Sequence, residues 1–323
     1  MYRSSRPAGW FRVAAAAGLW MSLTACDHDP AARIDALFSA YAGDDTPGAA
    51  VLVIRNGDRI VQRGYGTADL EQGTPVEPVT NFRLASITKQ FTATAIMLLV
   101  EEGALTLDTR LTTVFPDFND YAAPITIKHL LQHQSGLPDY ERLVPETATE
   151  QVHDRDVLTL MAAVDAGEFE PGTDYHYSNS GYAVLAMVVE KLSGQTFSQF
   201  LEERIFSPLG MSNTVAFVDG VSTVPNRALG YTVIDEDIQP SDQSLYSAVL
   251  GDGGIYASLN DLYRWDQALY TNALLSAASL ALMRTPDRED YGFGWRIDRY
   301  RGKLRYHHSG STSGFRNFMQ QFP

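Results

Sequence analysis

Strand-like patterns at both ends of this chain enclose a long run of helical patterns. Near the start, the two apolar runs in GAAVLVIRNGDRIVQRGYG surround Asn56 and Gly57, a residue pair that strongly favours a hairpin turn. The tail, from YGFGW onward, carries aromatic and branched residues around turns, which is typical of strands. We therefore predict an α+β fold in which an antiparallel sheet is flanked by helices.

The helical patterns in the middle of the chain have recognisable ends. Apolar spacing, capping residues and closing glycines predict helices over residues 31–42, 86–102, 125–137, 155–166, 181–193, 197–205 and 258–270. The last of these begins at Ser258, whose spacing to Asp261 resembles a capping box. The GDGG that precedes it lacks the GxGxxG spacing and the lysine of nucleotide-binding loops, so we interpret it as a turn.

The composition limits the class of protein. Of the 323 residues 45% are hydrophobic, so the chain can bury a large core and is not expected to be disordered. The formal net charge is −14, which argues against nucleic acid as a partner, because phosphate backbones are bound by clustered lysine and arginine.

The amino terminus has the layout of an export signal. Three arginines precede an apolar run over residues 13–23, which is too short to cross a bilayer as a helix. The run ends in LTAC, which resembles a bacterial lipobox, and Cys26 is the only cysteine. We predict that residues 1–26 are a lipoprotein signal peptide and that Cys26 is lipidated. The protein would then be exported and anchored to a bacterial membrane, facing the periplasm or the cell exterior. A plain cleaved signal is the alternative.

A serine and a lysine stand together at the start of LASITKQFTATAIMLLV. Ser86 and Lys89 are three residues apart, so one helical turn would place both side chains on the same face. A helix amino terminus offers free N–H groups and partial positive charge, which favour an oxyanion. The pair therefore indicates a serine nucleophile with a lysine base. A solvated lysine in the first turn is the simpler interpretation of this motif alone.

Two further polar clusters are candidates for the same site. Tyr177 and Asn179 lie in PGTDYHYSNSGY, a polar and aromatic loop before an apolar helix. His308, Ser309 and Gly310 lie on a predicted strand, where the histidine is expected to supply positive charge and the glycine to allow close approach of another group. Taken singly, a packing tyrosine and a strand-end histidine explain these clusters equally well.

The three clusters resemble the serine β-lactamase and penicillin-binding-protein-like superfamily, on the branch of class C β-lactamases, a D-Ala-D-Ala carboxypeptidase and several esterases. The similarity extends to RLASITKQFTA, TIKHLLQHQSGLPDY, FEPGTDYHYSNSGYAVLAMVVEKLSG, GDGGIYASLNDLYRW and YGFGW, in family order. It implies one serine hydrolase domain over residues 27–323, with a mainly helical subdomain beside the sheet. Relatives continue through another strand and a terminal helix, so this domain is expected to be truncated at its carboxyl end.

The resemblance also implies roles for the first two clusters. Ser86 would be the acylated nucleophile and Lys89 its proton partner. Tyr177 would pass a proton to the leaving group, and Asn179 would bind the acyl-side amide of the substrate.

The third cluster would take the place of a Lys-Thr-Gly motif. His308, Ser309 and Gly310 would line the substrate site, and the backbone N–H groups of Ser86 and Ser311 would form the oxyanion hole. Histidine in the lysine position matches the carboxypeptidase and esterase variants better than class C β-lactamases, so efficient antibiotic hydrolysis is not expected.

The predicted activity is hydrolysis of an ester, an amide or a D-amino-acid peptide through a covalent acyl-enzyme, without a cofactor or a metal. The substrate would be a small molecule or a peptide such as a cell-wall peptide. The alternative is a lipoprotein that binds penicillins or muropeptides without turnover. His129 and His133 have the spacing of a metalloprotease motif, but Leu130 follows the first histidine where that motif needs glutamate, which argues against a metal enzyme.

Overall fold

The computed structural model describes residues 29–323. The predicted signal peptide and Cys26 lie outside the described residues, so the lipid anchor stays a prediction. Along the described part of the chain, no helix combines the length and the apolar character that are needed to span a bilayer.

The strands are short and form small antiparallel sheets. In chain order they are β1 (Ala49–Arg55), β2 (Asp58–Tyr65), β3 (Thr67–Asp69), β4 (Thr74–Pro75), β5 (Phe82–Arg83), β6 (Val215–Ala216), β7 (Tyr231–Ile234), β8 (Asp237–Pro240), β9 (Ile255–Ala257), β10 (Arg296–Tyr300), β11 (Lys303–Thr312) and β12 (Phe315–Gln321). The two larger sheets have the orders β10-β11-β12 and β5-β9-β6, and the remaining strands pair as β1-β2, β3-β4 and β7-β8. Strands β1–β5 and β10–β12 lie near the two ends of the described chain, as predicted, whereas β6–β9 lie between helices in its middle; the mixture is an α+β fold.

The helices fill the region between β5 and β6 and recur before the last sheet. They are α1 (Pro30–Leu37), α2 (Lys89–Glu101), α3 (Leu111–Val114), α4 (Ile127–Leu131), α5 (Asp154–Ala163), α6 (Asn179–Ser193), α7 (Phe197–Leu201), α8 (Ser207–Leu209), α9 (Leu250–Gly253), α10 (Leu259–Ala268) and α11 (Ala277–Met283). Short 3-10 turns occur at Ser39–Tyr41, Ala85–Thr88, Asp120–Ala122, Tyr140–Arg142 and Arg288–Asp290, and a π turn at Glu202–Phe206.

The predicted hairpin and the predicted helix cap are both confirmed. β1 and β2 pair with Arg55 opposite Asp58, and the two turn residues have φ of 54° (Asn56) and 84° (Gly57), as a tight hairpin turn requires. Ser258 caps α10 by accepting a hydrogen bond from the N–H of Asp261 at 3.3 Å.

Helix α2 is the centre of the core. All its residues from Lys89 to Leu99 are buried, and α6 and α9 pack against it. The ring of Phe91 stacks on Trp265 with centroids 4.1 Å apart, and the Trp265 indole donates to the Gln90 side chain at 3.0 Å. A helix that is buried on every face is held rigidly, so the residues at its amino terminus have fixed positions.

Several predicted helix boundaries are wrong. The α-helices predicted over residues 31–42, 155–166 and 197–205 end at Leu37, Ala163 and Leu201. The helix predicted over residues 86–102 begins as the 3-10 turn Ala85–Thr88, and the α-helix starts only at Lys89. The helix predicted over 125–137 ends at Leu131, because His133 adopts the left-handed backbone conformation with φ of 58°.

Candidate active site

Ser86 and Lys89 meet at the amino terminus of α2. Ser86 lies on the 3-10 turn, in which residues three apart are eclipsed, so its side chain stands directly beside that of Lys89. The Nζ of Lys89 is 3.1 Å from the Oγ of Ser86. Ala85, just before the serine, has φ of 50°, a conformation that is strained for a residue with a side chain. The pairing inferred from the sequence is present, although a 3-10 turn provides it.

Lys89 is fully buried and has two further fixed partners. Its Nζ donates to the Oδ1 of Asn179 and to the backbone carbonyl of Asp252, both at 2.9 Å. Within residues 29–323 it forms no ion pair with a carboxylate. The Nζ thus has three oxygen partners, and its 3.1 Å contact with the Oγ of Ser86 is a path along which a proton can pass between the two side chains.

The Asp252 carbonyl is brought to the lysine by α9, the short helix formed at the predicted GDGG turn. The buried carboxylate of Asp154 accepts hydrogen bonds from the N–H groups of Leu250 at 2.8 Å and Gly251 at 2.9 Å. The hydroxyl of Thr92 donates to the carbonyl of Gly251 at 2.7 Å. These contacts fix α9 against α2, so the acceptor for Lys89 does not depend on a mobile loop.

The second cluster lies beside the lysine, as expected. Asn179 is the first residue of α6, and Ser178 caps that helix by accepting from the N–H of Gly181 at 3.0 Å. The Tyr177 ring centroid is 5.0 Å from the Nζ of Lys89. Its hydroxyl is buried and has no hydrogen-bond partner among the described residues, so its capacity to donate a hydrogen bond is not used within the folded chain.

His308 is buried in β11 and is neutral. Its Nδ1 is 2.7 Å from the carbonyl of Ser309, which can only accept, so Nδ1 carries the proton and Nε2 accepts from the Tyr291 hydroxyl at 3.0 Å. Burial, followed by the charge of Lys89, lowers the pKa of His308 to about 3. The prediction that this residue supplies a positive charge is therefore wrong at neutral pH.

The close approach predicted for Gly310 is confirmed. A Cβ at this position would lie 2.1 Å from the carbonyl oxygen of Leu84 and 3.3 Å from the Cβ of Ala85. Strand β11 thus packs directly on the turn that carries Ser86. The pairing of β10 with β11 ends at His307, so residues 308–312 pair only with β12 among the described strands. The exposed Ser309 and Ser311 lie on this free edge.

The two histidines considered as metal ligands have other contacts. His129 and Thr126 form a reciprocal cap at the start of α4, each side chain accepting from the other's N–H at 3.3 Å. The Nδ1 of His133 accepts from the N–H of Ser178 at 3.0 Å. In the part of the chain that the structure describes, no three His, Cys, Asp or Glu side chains are grouped as metal ligands.

Two charged residues at the site were missed from the sequence. Arg296 is half-buried, with its guanidinium carbon 5.9 Å from the centroid of the Tyr177 ring, and it forms no ion pair with any described residue. Glu141 is exposed and lies near the Asn179 side chain; partial desolvation and then the Asp139 carboxylate raise its pKa, which Asn179 and Lys89 partly offset. Each directly follows a family-like stretch, LPDY or YGFGW, which could have drawn attention to it.

The buried histidines should make the protein sensitive to acid. The pKa of His308 is about 3 in the folded state and 6.5 in an unfolded chain, so below pH 6.5 the unfolded state binds a proton that the folded state does not. The stability is therefore complete above pH 6.5 and falls as the pH is lowered. We expect this residue to remove roughly 3 kcal/mol of unfolding free energy between about pH 6.5 and about pH 4.5. Burial also lowers the pKa of His133, which acts in the same direction.

Urea unfolding at the two pH values would measure this loss. His308→Gln should flatten the dependence of the unfolding free energy on pH. Equal pH dependence in the wild type and in His308→Gln would contradict the expectation.

Comparison with known proteins gives the relatives of this chain. A family model described as Beta-lactamase matches residues 34–323. The chain is 32% identical to penicillin-binding protein 4* of Bacillus subtilis, over 90% of this chain and 68% of that protein. It is 30% identical to a D-aminopeptidase of Cereibacter sphaeroides, over 88% of this chain and 55% of that protein, so it spans about half of the latter's length.

A solved structure has the same fold. The D-amino acid amidase of Ochrobactrum anthropi SV3 in complex with L-phenylalanine is 26% identical, with a TM-score of 0.71, over 87% of this chain and 82% of that one. The family model covers nearly all of the described residues, and the mixed helices and antiparallel sheets agree with it. The chain therefore belongs to the beta-lactamase family, as its sequence motifs suggested.

Proposed function

We propose that this protein is a serine hydrolase that forms a covalent acyl-enzyme at Ser86 and cleaves amides or peptides of D-amino acids. The observation that carries the proposal is the buried Lys89 amine, held between the Asn179 side chain and the Asp252 carbonyl with its third position facing Ser86. A protein that only bound its ligand would not need a base beside the serine.

The geometry supports an ordinary acyl-transfer sequence. The Oγ of Ser86 attacks the substrate carbonyl as its proton moves to Lys89, and the oxyanion is stabilised by the N–H groups of Ser86 and Ser311. The bond to the leaving amine breaks as Tyr177 supplies a proton, and the proton that Lys89 took from Ser86 replaces it on the phenol. Water then attacks the acyl-enzyme and gives one proton to Lys89, and as the bond between the acyl carbon and Oγ breaks Lys89 returns that proton to Ser86 and the acid leaves.

Two charges flank the proposed reaction centre and favour a particular substrate class. Glu141 adjoins Asn179, on the acyl side, where a carboxylate would bind a free α-ammonium group. Arg296 lies near Tyr177, on the leaving-group side, where an unpaired guanidinium would bind a carboxylate. The similarity to a D-aminopeptidase and a D-amino acid amidase supports D-configured acyl groups. Short peptides with a free D-residue at the amino end fit both charges.

The substrate class can be tested with paired anilides. We expect D-alanine p-nitroanilide to be hydrolysed with a higher kcat/KM than the L-isomer, and N-acetylation to lower kcat/KM by about 10-fold or more, because the ion pair to Glu141 is lost. Glu141→Gln should remove the difference between free and acetylated substrate. Glu146→Gln, at an exposed glutamate nearby in sequence, is the control and should retain it.

Other outcomes would contradict parts of the proposal. Equal rates on free and acetylated substrates would rule out recognition of the ammonium group, and a preference for L-residues would rule out the D-amino-acid class. Stable labelling by a fluorescent penicillin, without turnover of any substrate in the series, would instead support a sensing lipoprotein.

A further inference from the structure

His133 occupies an unusual position behind the proposed site. It is fully buried, and its φ of 58° places a non-glycine residue in the left-handed region, which costs about 1–2 kcal/mol. The turn ends α4 and brings residue 133 against the loop that carries Tyr177. A strained backbone conformation persists only where the surrounding contacts stabilise it, so the contacts of His133 must offset this cost.

The residue binds the chain on both sides of Tyr177. Its backbone carbonyl accepts from the N–H of His176 at 3.0 Å, and its Nδ1 accepts from the N–H of Ser178, also at 3.0 Å. The imidazole lies against the phenol ring of Tyr177, with centroids 4.3 Å apart. One residue thus fixes the backbone before and after the tyrosine and also one face of its ring.

The ring of His133 is held as an acceptor. Because Nδ1 accepts a hydrogen bond, a neutral ring carries its proton on Nε2. Burial, with the charges of Lys89, His308 and Arg296, lowers the pKa of His133 well below its usual range. A protonated ring would lose the hydrogen bond from the N–H of Ser178. The neutral imidazole therefore keeps the backbone after Tyr177 in place.

We propose that His133 is a positioning residue, which sets the placement of the Tyr177 hydroxyl for proton delivery to the leaving group. The inference rests on the proposed function and adds a residue that acts through another side chain. It predicts a selective defect, because only poor leaving groups need that proton. An amide should be affected strongly, whereas an ester with a p-nitrophenolate leaving group should be affected little.

Two variants isolate the acceptor. In His133→Asn the Oδ1 lies where the histidine has Nδ1, and asparagine tolerates the left-handed conformation. In His133→Gly the conformation is equally accessible, but there is no acceptor and no ring. We would measure kcat/KM, which reports acylation, for D-alanine p-nitroanilide and D-alanine p-nitrophenyl ester. The anilide-to-ester ratio should fall about 10-fold or more in His133→Gly and should largely recover in His133→Asn.

A double-variant cycle tests the route through Tyr177. Tyr177→Phe should lower the same ratio, and adding His133→Gly to it should lower the ratio no further. Equal losses on both substrates, or an unchanged ratio in His133→Gly, would overturn the inference. If His133→Gly is insoluble, His133→Ala takes its place. An unchanged ratio in Tyr177→Phe would overturn the inference and the role of the tyrosine, whereas loss of all activity in Ser86→Ala would show that the hydrolase proposal still holds.

Discussion

Ser86→Ala should abolish hydrolysis, lowering kcat/KM by about 10⁴-fold or more, to the background rate. Alanine removes the only atom that can form the acyl-enzyme and leaves the burial of the 3-10 turn almost unchanged. The free energy of unfolding should therefore change by about 1 kcal/mol or less. Steady-state hydrolysis of a p-nitrophenyl ester measures the rate, and intact-protein mass after a fluorophosphonate shows whether the adduct is lost as well.

The control for this variant is Ser212→Ala, at an exposed serine. It should retain wild-type hydrolysis and the fluorophosphonate adduct. Substantial activity in Ser86→Ala, or an adduct that peptide mapping places on another serine, would show that the nucleophile lies elsewhere.

Lys89→Met should have the second-largest effect, lowering kcat/KM by about 10³-fold. Methionine fills a similar volume in the buried site but cannot take the proton of Ser86. The substitution leaves the Asn179 side chain and the Asp252 carbonyl without their donor, at a cost of about 1–3 kcal/mol for each group. A lower midpoint of thermal unfolding is therefore expected alongside the loss of activity.

Lys191→Met, at an exposed lysine near the end of α6, is the matched control. It should retain both the rate and the stability. If Lys89→Met kept most of its activity on both esters and amides, a different group would have to deprotonate the serine.

Much of the fold could be predicted because local patterns determine it. Asn56 and Gly57 specify a turn that requires two residues with positive φ, and Ser258 caps the helix that follows it. The boundary of α4 could not be predicted in this way. Its sequence continues in helical periodicity, but contacts with the distant Tyr177 loop hold His133 in a non-helical conformation.

The candidate site was predictable in its residue types and less so in its electrostatics. Ser86, Lys89 and Asn179 are found together as their spacing and family-like context suggested. The carbonyl of Asp252 was not foreseen, because a backbone acceptor has no residue signature. The charge of His308 was wrongly predicted since it depends on burial and on the nearby lysine, which only the folded chain shows.

The contact between Gly310 and the carbonyl of Leu84 has a consequence for how the molecule becomes active. The 3-10 turn that carries Ser86 packs against β11, a strand near the far end of the described chain, so the candidate site cannot assemble during synthesis until that strand has been made and has folded. Any larger residue at position 310 would push β11 away from the carbonyl of Leu84.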